Sequence, residues 1–184
     1  MTKSIIQPWI LEGYNLFSKE GPNGLKVEVI SRKVKKSKSS FYHLFADIDC
    51  FLEELLCFHF ERAKLISERE KLCKSIDPDL INLLVEVKED LLFNRQLRVN
   101  RSNLAFKQCF EKANQLVGNA FLEVWAKEIG LGHKPKLAEI FFGLVLENFY
   151  LQLTEETLTY EWLSDYFKNI RLMVAEFKKE MVEF

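Results

Sequence analysis

The sequence predicts an all-α protein, and three observations support this fold class. Only seven glycines and four prolines interrupt the 184 residues, which is few for a sheet connected by many tight turns. Apolar residues recur at intervals of three and four over most of the chain, which is the period of an amphipathic helix. Hydrophobic residues make up 48% of the chain, enough for one sizeable core or two small domains.

Three short helices are predicted before residue 46. Pro8 suits the first position of the first helix, where its missing N–H needs no partner, and Gly21 ends that helix. A second, shorter helix follows the GPNG segment, and Ser37 is a good N-cap for the third. The apolar faces of the three helices consist of Ile10, Tyr14 and Phe17; Val27, Ile30 and Val34; and Phe41, Leu44 and Phe45.

Longer helices are predicted after residue 46. Asp47 can cap a long connecting helix, Asp77-Pro78 opens another segment, and Ser102 begins the next. After a glycine-rich break, Pro135 precedes the two strongest helical patterns. Their apolar positions are Leu137, Ile140, Phe141, Leu144, Val145 and Phe149, then Leu163, Tyr166, Phe167, Ile170, Val174, Phe177 and Met181.

Charge is distributed unevenly along the chain. Residues 1–45 contain eight Lys and Arg against three Glu, whereas residues 46–184 contain 18 basic and 24 acidic residues. The two parts therefore carry net charges of +5 and −6. This asymmetry is typical of a small basic contact module carried on an acidic body.

The segment SRKVKKSKSSFYHLF, residues 31–45, concentrates five basic side chains before an aromatic stretch. A basic run by itself is usually a solvated face. Here a short helix precedes the basic run, and Phe41 and Phe45 form the apolar inner face of the helix that follows it. This layout is that of a helix-turn-helix, whose second helix enters the DNA major groove while the turn and helix ends contact phosphates.

The same residues resemble the N-terminal DNA-binding region of TetR-family transcriptional regulators. Residues 10–56 resemble the family at specific sequence positions, whereas the residues beyond them resemble it only in their helical architecture. The matching positions are Ile10 through Phe17, Gly21, Val27, Ile30, Ser31 and the motif Ser37-x-Ser-Ser-Phe-Tyr-x-x-Phe. The resemblance implies a helix-turn-helix DNA-binding domain over residues 1–50 and a helical ligand-binding and dimerisation domain over residues 51–184.

Four positions depart from the family pattern. Lys35 stands where the family usually has the turn glycine, and Lys36 replaces a usual valine. Ile48 replaces the lysine that normally opens the fourth helix and binds phosphate, and Lys26 stands where a threonine commonly caps the second helix. The substitutions remove one expected phosphate contact and add up to three cations nearby.

Phosphate contacts are predicted for the lysines around the turn. Lys26, Lys35 and Lys36 would each release counterions from the DNA and so steepen the salt dependence of binding. Tyr42 matches the family's phosphate-contacting tyrosine, and a buried aromatic is the alternative.

Base contacts are predicted for the third helix. Lys38, Ser39 and His43 would face base edges, since lysine donates to guanine and serine adapts to several bases. Ser37, which begins this helix, belongs to the same set of DNA-binding residues.

The resemblance further implies an effector pocket between the middle helices and a homodimer built from the last two helices. The candidates for the pocket lining are His59, Phe93, Phe106, Phe110 and Trp125. Their aromatic character favours a hydrophobic or aromatic effector. For His59 the alternative is a core histidine whose hydrogen bonds are satisfied within the protein. The apolar stripes of residues 137–149 and 163–181 suit either a dimer interface or an ordinary core. The interface candidates are Leu144, Phe149, Phe167, Ile170, Val174 and Phe177.

We therefore expect a cytoplasmic, ligand-responsive transcriptional repressor that binds a pseudo-palindromic double-stranded DNA operator as a homodimer; activation instead of repression stays open. An all-helical ligand-binding or interaction protein with a degenerate DNA-binding region is the alternative. No catalytic motif, cofactor motif or metal-ligand spacing is found, which argues against an enzyme. The longest apolar stretch, Phe141 to Leu146, is far shorter than the roughly 20 residues that a membrane span needs.

Overall fold

The computed structural model describes residues 2–182, and the chain is α-helical without strands over that range. This confirms the predicted all-α class. The helices are α1 Thr2–Glu20, α2 Val27–Val34, α3 Lys38–Leu44, α4 Ile48–Glu70, α5 Ile81–Glu86, α6 Lys88–Val99, α7 Leu104–Glu128, α8 Pro135–Gln152 and α9 Tyr160–Val182.

The start of α1 differs from the prediction. The helix begins at Thr2, so Pro8 lies inside it instead of at its first position. A proline there removes one hydrogen bond to the preceding turn. The helix continues because the turns that follow are buried, with Trp9, Ile10 and Tyr14 in the core. Burial of these side chains outweighs the single missing bond.

The end of α1 is as predicted. Gly21 has φ of +66°, the left-handed conformation that glycine adopts without strain, and a single 3₁₀ turn over Gly21–Gly24 leads to α2.

Within α1, Gly13 allows close packing against α4, since a Cβ atom at this position would lie 2.4 Å from the Phe51 ring.

Two predicted helix starts are corrected by the structure. Asn103, and not Ser102, caps α7, because its side-chain oxygen accepts from the Ala105 and Phe106 amides at 2.9 and 3.4 Å. The segment after Asp77-Pro78 is also not one helix. A π-helical turn over Ile76–Leu80 precedes α5, and the chain leaves helical geometry at Val87 before α6 begins.

The chain forms two compact units. The first unit contains the residues up to Ala63 together with Glu89–Ala113, and the second contains Lys64–Lys88 together with the residues from Asn114 onward. The three N-terminal helices thus share a unit with the first part of α4, with α6 and with the start of α7. In the second unit, α5 packs against α9.

Aromatic side chains fill the core of the second unit. Trp125 of α7 is buried and lies edge-on to Phe142 of α8, with ring centroids 5.0 Å apart. Phe149 lies 5.5 Å from Tyr166 of α9, and the Tyr166 hydroxyl donates to the Val145 carbonyl at 3.0 Å. Within residues 2–182, no helix combines the length and apolar character required to cross a membrane.

Candidate DNA-binding surface

The turn between α2 and α3 is a helix C-cap built on a lysine. Lys35 adopts the left-handed conformation, with φ of 58° and ψ of 42°. Its amide donates to the Arg32 carbonyl at 3.1 Å, and the Lys36 amide donates to the Ser31 carbonyl at 2.9 Å. These two bonds form a Schellman motif, in which glycine normally occupies the left-handed position. The turn geometry is therefore kept although the glycine is absent.

The start of α3 is fixed by Ser37, as the sequence predicted. Its backbone is extended, and its side-chain oxygen accepts from the Ser40 amide at 3.1 Å. This satisfies one of the amides that the first turn of a helix leaves without a partner. The tight turn between the two helices therefore spans Lys35 to Ser37.

Aromatic residues hold the inner face of α3. Phe41 is fully buried and lies 5.7 Å from Trp9 of α1 and 5.3 Å from Phe51 of α4, measured between ring centroids. Phe45 lies 4.8 Å from Phe51. Burying a phenylalanine contributes about 1.5–3 kcal/mol, so these contacts fix α3 against both neighbouring helices.

The outer face of α3 is polar and exposed. Tyr42 is 55% exposed, which excludes the alternative that it is a buried aromatic. Its ring lies edge-on to that of Phe41, with the ring centroids 5.5 Å apart. The predicted DNA-binding side chains are all exposed; they are Lys26, Lys35, Lys36, Ser37, Lys38, Ser39, Tyr42 and His43. We call these eight side chains the α3 surface.

Lys26 lies at the N-cap of α2, where its side chain makes no capping bond. At the start of α4, Asp47 provides the predicted cap, because its carboxylate accepts from the Cys50 amide at 2.8 Å. Ile48 is half-buried there and contributes no charge. The α3 surface therefore gains cations at the turn and lacks one at the start of α4.

A groove of about 630 Å³ lies beside α3, between that helix and α1. Trp9, Val34 and Leu44 form its apolar wall, and Lys36 and His43 lie at its polar side. Lys36 and His43 belong to the α3 surface, so the groove adjoins that surface.

A buried hydrogen-bond network joins α1, α4 and α6 in the first unit. The Tyr14 hydroxyl lies 2.7 Å from Nδ1 of His59 and donates to Oδ1 of Asp90 at 2.8 Å. Arg62 completes the network by donating to both carboxylate oxygens of Asp90, from Nη2 at 2.6 Å and from Nε.

Burial determines the protonation states in this network. It lowers the pKa of His59 to about 4, so the imidazole is neutral at physiological pH. Burial, followed by the negative charge of Asp90, raises the pKa of Tyr14 well above its usual value. His59 is thus a satisfied core histidine, held by the side chains of Tyr14 and Asn94, the latter 3.3 Å from Nε2.

The five residues predicted to bind an effector are buried. His59 and Phe93 stack with ring centroids 4.5 Å apart, and Phe17 lies between Phe93 and Phe106, at 4.3 and 5.5 Å. Phe110 is buried in the same unit, whereas Trp125 belongs to the second unit. The structure therefore brings three of them, His59, Phe93 and Phe106, into one aromatic cluster through Phe17, and their role in effector binding stays a prediction.

A separate groove of about 510 Å³ lies in the second unit. Leu137 and Phe141 of α8 and Val174 and Phe177 of α9 line it. Lys178 also lines it and donates to the Gly130 carbonyl at the end of α7.

The residues predicted for the dimer interface divide into two groups. Leu144 and Phe177 are 64% and 56% exposed in the single chain, so both are accessible to a second copy. The other four are buried against their own chain, because the aromatic contacts between α8 and α9 use the inner faces of both helices; they are Phe149, Phe167, Ile170 and Val174.

Sequence reasoning missed two charged pairs of the first unit. Glu28 of α2 accepts a hydrogen bond from Lys38 of α3, across the turn. Asp90 is buried and pairs with Arg62 over a separation of 28 residues. Neither pair has helical spacing, so no local pattern in the sequence indicated them. Over residues 2–182, no group of three or more His, Cys, Asp or Glu side chains is arranged to hold a metal ion.

Comparison with known proteins was made by sequence and by structure. No protein-family model matches the chain, and a search of curated protein sequences finds no match. A solved structure from Mesorhizobium loti MAFF303099, described as a TetR-family transcriptional regulator, matches with a TM-score of 0.60. The match covers 95% of this chain and 96% of the other at 15% sequence identity. The chain therefore has the fold of that regulator, which confirms the TetR-like architecture predicted from residues 10–56.

Proposed function

We propose that this protein is a TetR-family transcriptional regulator that binds double-stranded DNA through the α3 surface. The proposal rests on one observation above all. A short helix follows a tight turn, is capped at its N-terminus, is held from behind by Phe41 and Phe45, and presents only polar side chains outward. This is the geometry with which a recognition helix enters a major groove N-terminus first.

The charges around that helix suit a polyanion. Lys35 and Lys36 lie in the turn, and Lys26 lies at the N-cap of α2. Lysines at such positions neutralise phosphates and supply affinity that does not depend on sequence. Side chains on the outer face of α3, such as Ser39 and His43, supply the contacts to base edges that create specificity.

The protein is further proposed to act as a homodimer on a pseudo-palindromic operator. Large apolar side chains remain exposed on the last two helices, and such a surface favours association. They are Ile140, Leu144 and Leu151 on α8, with Leu172, Met173 and Phe177 on α9. The two half-sites of such an operator lie about one turn of DNA apart, ~34 Å, so that each copy of the dimer reads one half-site.

The test is fluorescence anisotropy with the full chain. One labelled duplex comes from upstream of the protein's own gene, and a scrambled duplex of equal length and composition serves as the control, over a series of salt concentrations. A specific regulator binds the first duplex about a thousandfold more tightly near physiological salt. Replacing Lys35 and Lys36 by alanine is expected to reduce the salt slope by about two units. The control, Lys168→Ala, removes a cation from α9 and leaves that slope unchanged.

The alternative function makes a different prediction in the same experiment. A ligand-binding or interaction protein with a degenerate DNA-binding region would bind both duplexes equally and weakly, or neither. Ile48, which lacks the phosphate-binding charge of its family position, favours this reading. The retained geometry of the Lys35 turn favours the regulator.

A further inference from the structure

Glu28 is an acidic side chain on a surface that is otherwise basic. Between Lys26 and Leu44 the chain has six Lys and Arg residues and a single carboxylate, that of Glu28. Lys38, the first residue of α3, donates a hydrogen bond to Glu28 Oε1. Both side chains are largely exposed, at 64% for Glu28 and 54% for Lys38, so the pair faces solvent and is not part of the core.

This position is unfavourable for simple phosphate binding. A carboxylate repels DNA phosphates, and a lysine engaged by that carboxylate is less available to them. An exposed ion pair of this kind contributes little to stability, typically less than about 1 kcal/mol. Neither affinity for DNA nor folding therefore accounts for the pair.

The pair does match the edge of one base pair. In the major groove, a G·C pair presents the guanine O6 and N7 acceptors next to the cytosine N4 amino donor. An ammonium and a carboxylate held in contact present the complementary pattern, a donor beside an acceptor. Lysine to guanine and glutamate to cytosine are the pairings that groove geometry allows.

We propose that Glu28 is a specificity-determining residue, which positions Lys38 and, together with it, reads a single G·C pair in the major groove. The inference rests on the proposed DNA-binding function and adds the base pair that the Lys38–Glu28 pair recognises. Glu28 also weakens binding to all other sequences, since its charge is compensated only where a cytosine amino group meets it.

The experiment selects binding sites for the full-length chain from a library of random duplex DNA and measures the selected sites by anisotropy. The wild-type chain is expected to prefer G·C at one position of each half-site by about tenfold over the other pairs. In Glu28→Gln this preference falls to near unity, while binding to scrambled DNA tightens by about threefold because one negative charge is removed. In Lys38→Met the preference at the same position is also lost, whereas the other positions keep theirs.

The matched control is Glu12→Gln. Glu12 of α1 pairs with Lys33 at 3.7 Å and its side chain is 38% exposed, so this variant removes the same charge without touching the Lys38–Glu28 contact. We expect it to tighten binding to all sequences equally and to leave every base preference intact. Circular dichroism of each variant verifies the fold.

The outcomes separate the inference from the proposed function. If the wild-type chain selects no sequence at all, both are wrong. If it selects a site but Glu28→Gln behaves as Glu12→Gln does, or if the affected position prefers A·T, then Glu28 does not read the base pair and only the inference is wrong.

Discussion

At the scale of single residues, Lys35 carries the most unusual backbone of the described chain. Among residues 2–182, it is the only non-glycine residue with positive φ. The left-handed conformation costs a residue with a side chain about 1 kcal/mol relative to glycine. The lysine places a positive charge at the turn, and the stability of the fold does not by itself require that charge. Such a strained residue is typical of a functional position.

Replacing Lys35 by glycine is therefore expected to stabilise the protein and to weaken its binding to DNA. The free energy of unfolding should rise by about 1 kcal/mol because the strain is relieved. Urea denaturation followed by circular dichroism measures this change. Lys36→Gly removes the same charge at a position without positive φ, and we expect it to lower stability. Equal effects of the two variants on stability would contradict the argument.

Glu70 is a second unusual residue, since its carboxyl group is buried in the second unit. Its Oε2 atom has no hydrogen-bond partner among the described residues. Burial raises the pKa of Glu70 to about 8, so the folded chain keeps this carboxyl neutral over a range where the unfolded chain ionises it. Between pH 4.5 and about 8 the folded state thus binds more protons, and stability falls as pH rises.

Glu70→Gln should remove this loss of stability. At pH 8 the variant is expected to be more stable than the wild type by about 4 kcal/mol, and at pH 4 the two should be nearly equal. Thermal unfolding at a series of pH values measures the difference. The control is Glu68→Gln, on the exposed face of the same helix, which should leave the slope unchanged. If the stability of Glu70→Gln depends on pH as strongly as that of the wild type, Glu70 is ionised in the folded chain.

At the scale of elements, α3 is too short to be stable by itself. It has seven residues, and isolated helices below about 12 residues are marginal in water. Its order comes from the Ser37 cap and from the aromatic contacts of Phe41 and Phe45. The helix that makes the proposed base contacts therefore depends on both its first residue and its inner face.

Removing the cap should weaken the first unit. Ser37→Ala is expected to lower the free energy of unfolding by about 1 kcal/mol, because the Ser40 amide loses its acceptor. Amide hydrogen exchange should then become faster in the first turn of α3. The control is Ser39→Ala, two residues away on the exposed face, where we expect a change within about 0.5 kcal/mol. Equal destabilisation by both variants would show that the cap contributes nothing specific.

At the scale of the whole molecule, the proposed dimer explains the exposed apolar face of α8 and α9. Several large apolar side chains, Leu144 and Phe177 among them, are exposed together on these helices. Such a group of exposed apolar side chains is unusual for a stable monomer. Burial against a second copy removes this surface from water.

A charge in this face should dissociate the dimer. We expect Leu144→Glu combined with Phe177→Glu to shift the protein from dimer to monomer, since two charges would otherwise be buried in each copy. Size-exclusion chromatography with light scattering measures the mass. Binding to a full operator should fall to the affinity of a half-site. The control, Leu72→Glu, replaces a still more exposed apolar residue outside α8 and α9 and should stay dimeric. A wild-type mass for the double variant would rule out this interface.

Much of the fold could be predicted because local chemistry defines helix ends. Ser37, Asp47 and Pro135 each begin or precede a helix as predicted, since capping atoms and fixed proline geometry act within a few residues. Pro8 was assigned wrongly because the burial of the turns that follow, a property of the tertiary core, carries the helix through it. The break at Val87 was missed because its apolar spacing continues unchanged across the break.

The sequence by itself determined the all-α class, the helix-turn-helix and the basic composition of its turn, because period, capping and charge are encoded by neighbouring residues. Only the tertiary structure decided which side chains meet across helices. It placed His59 in a satisfied network, turned Phe149 and Phe167 inward while Leu144 stayed exposed, and brought Glu28 to Lys38. The physical reason is the same in each case: contacts between helices depend on how the helices pack, and the spacing of residues along one helix does not specify that.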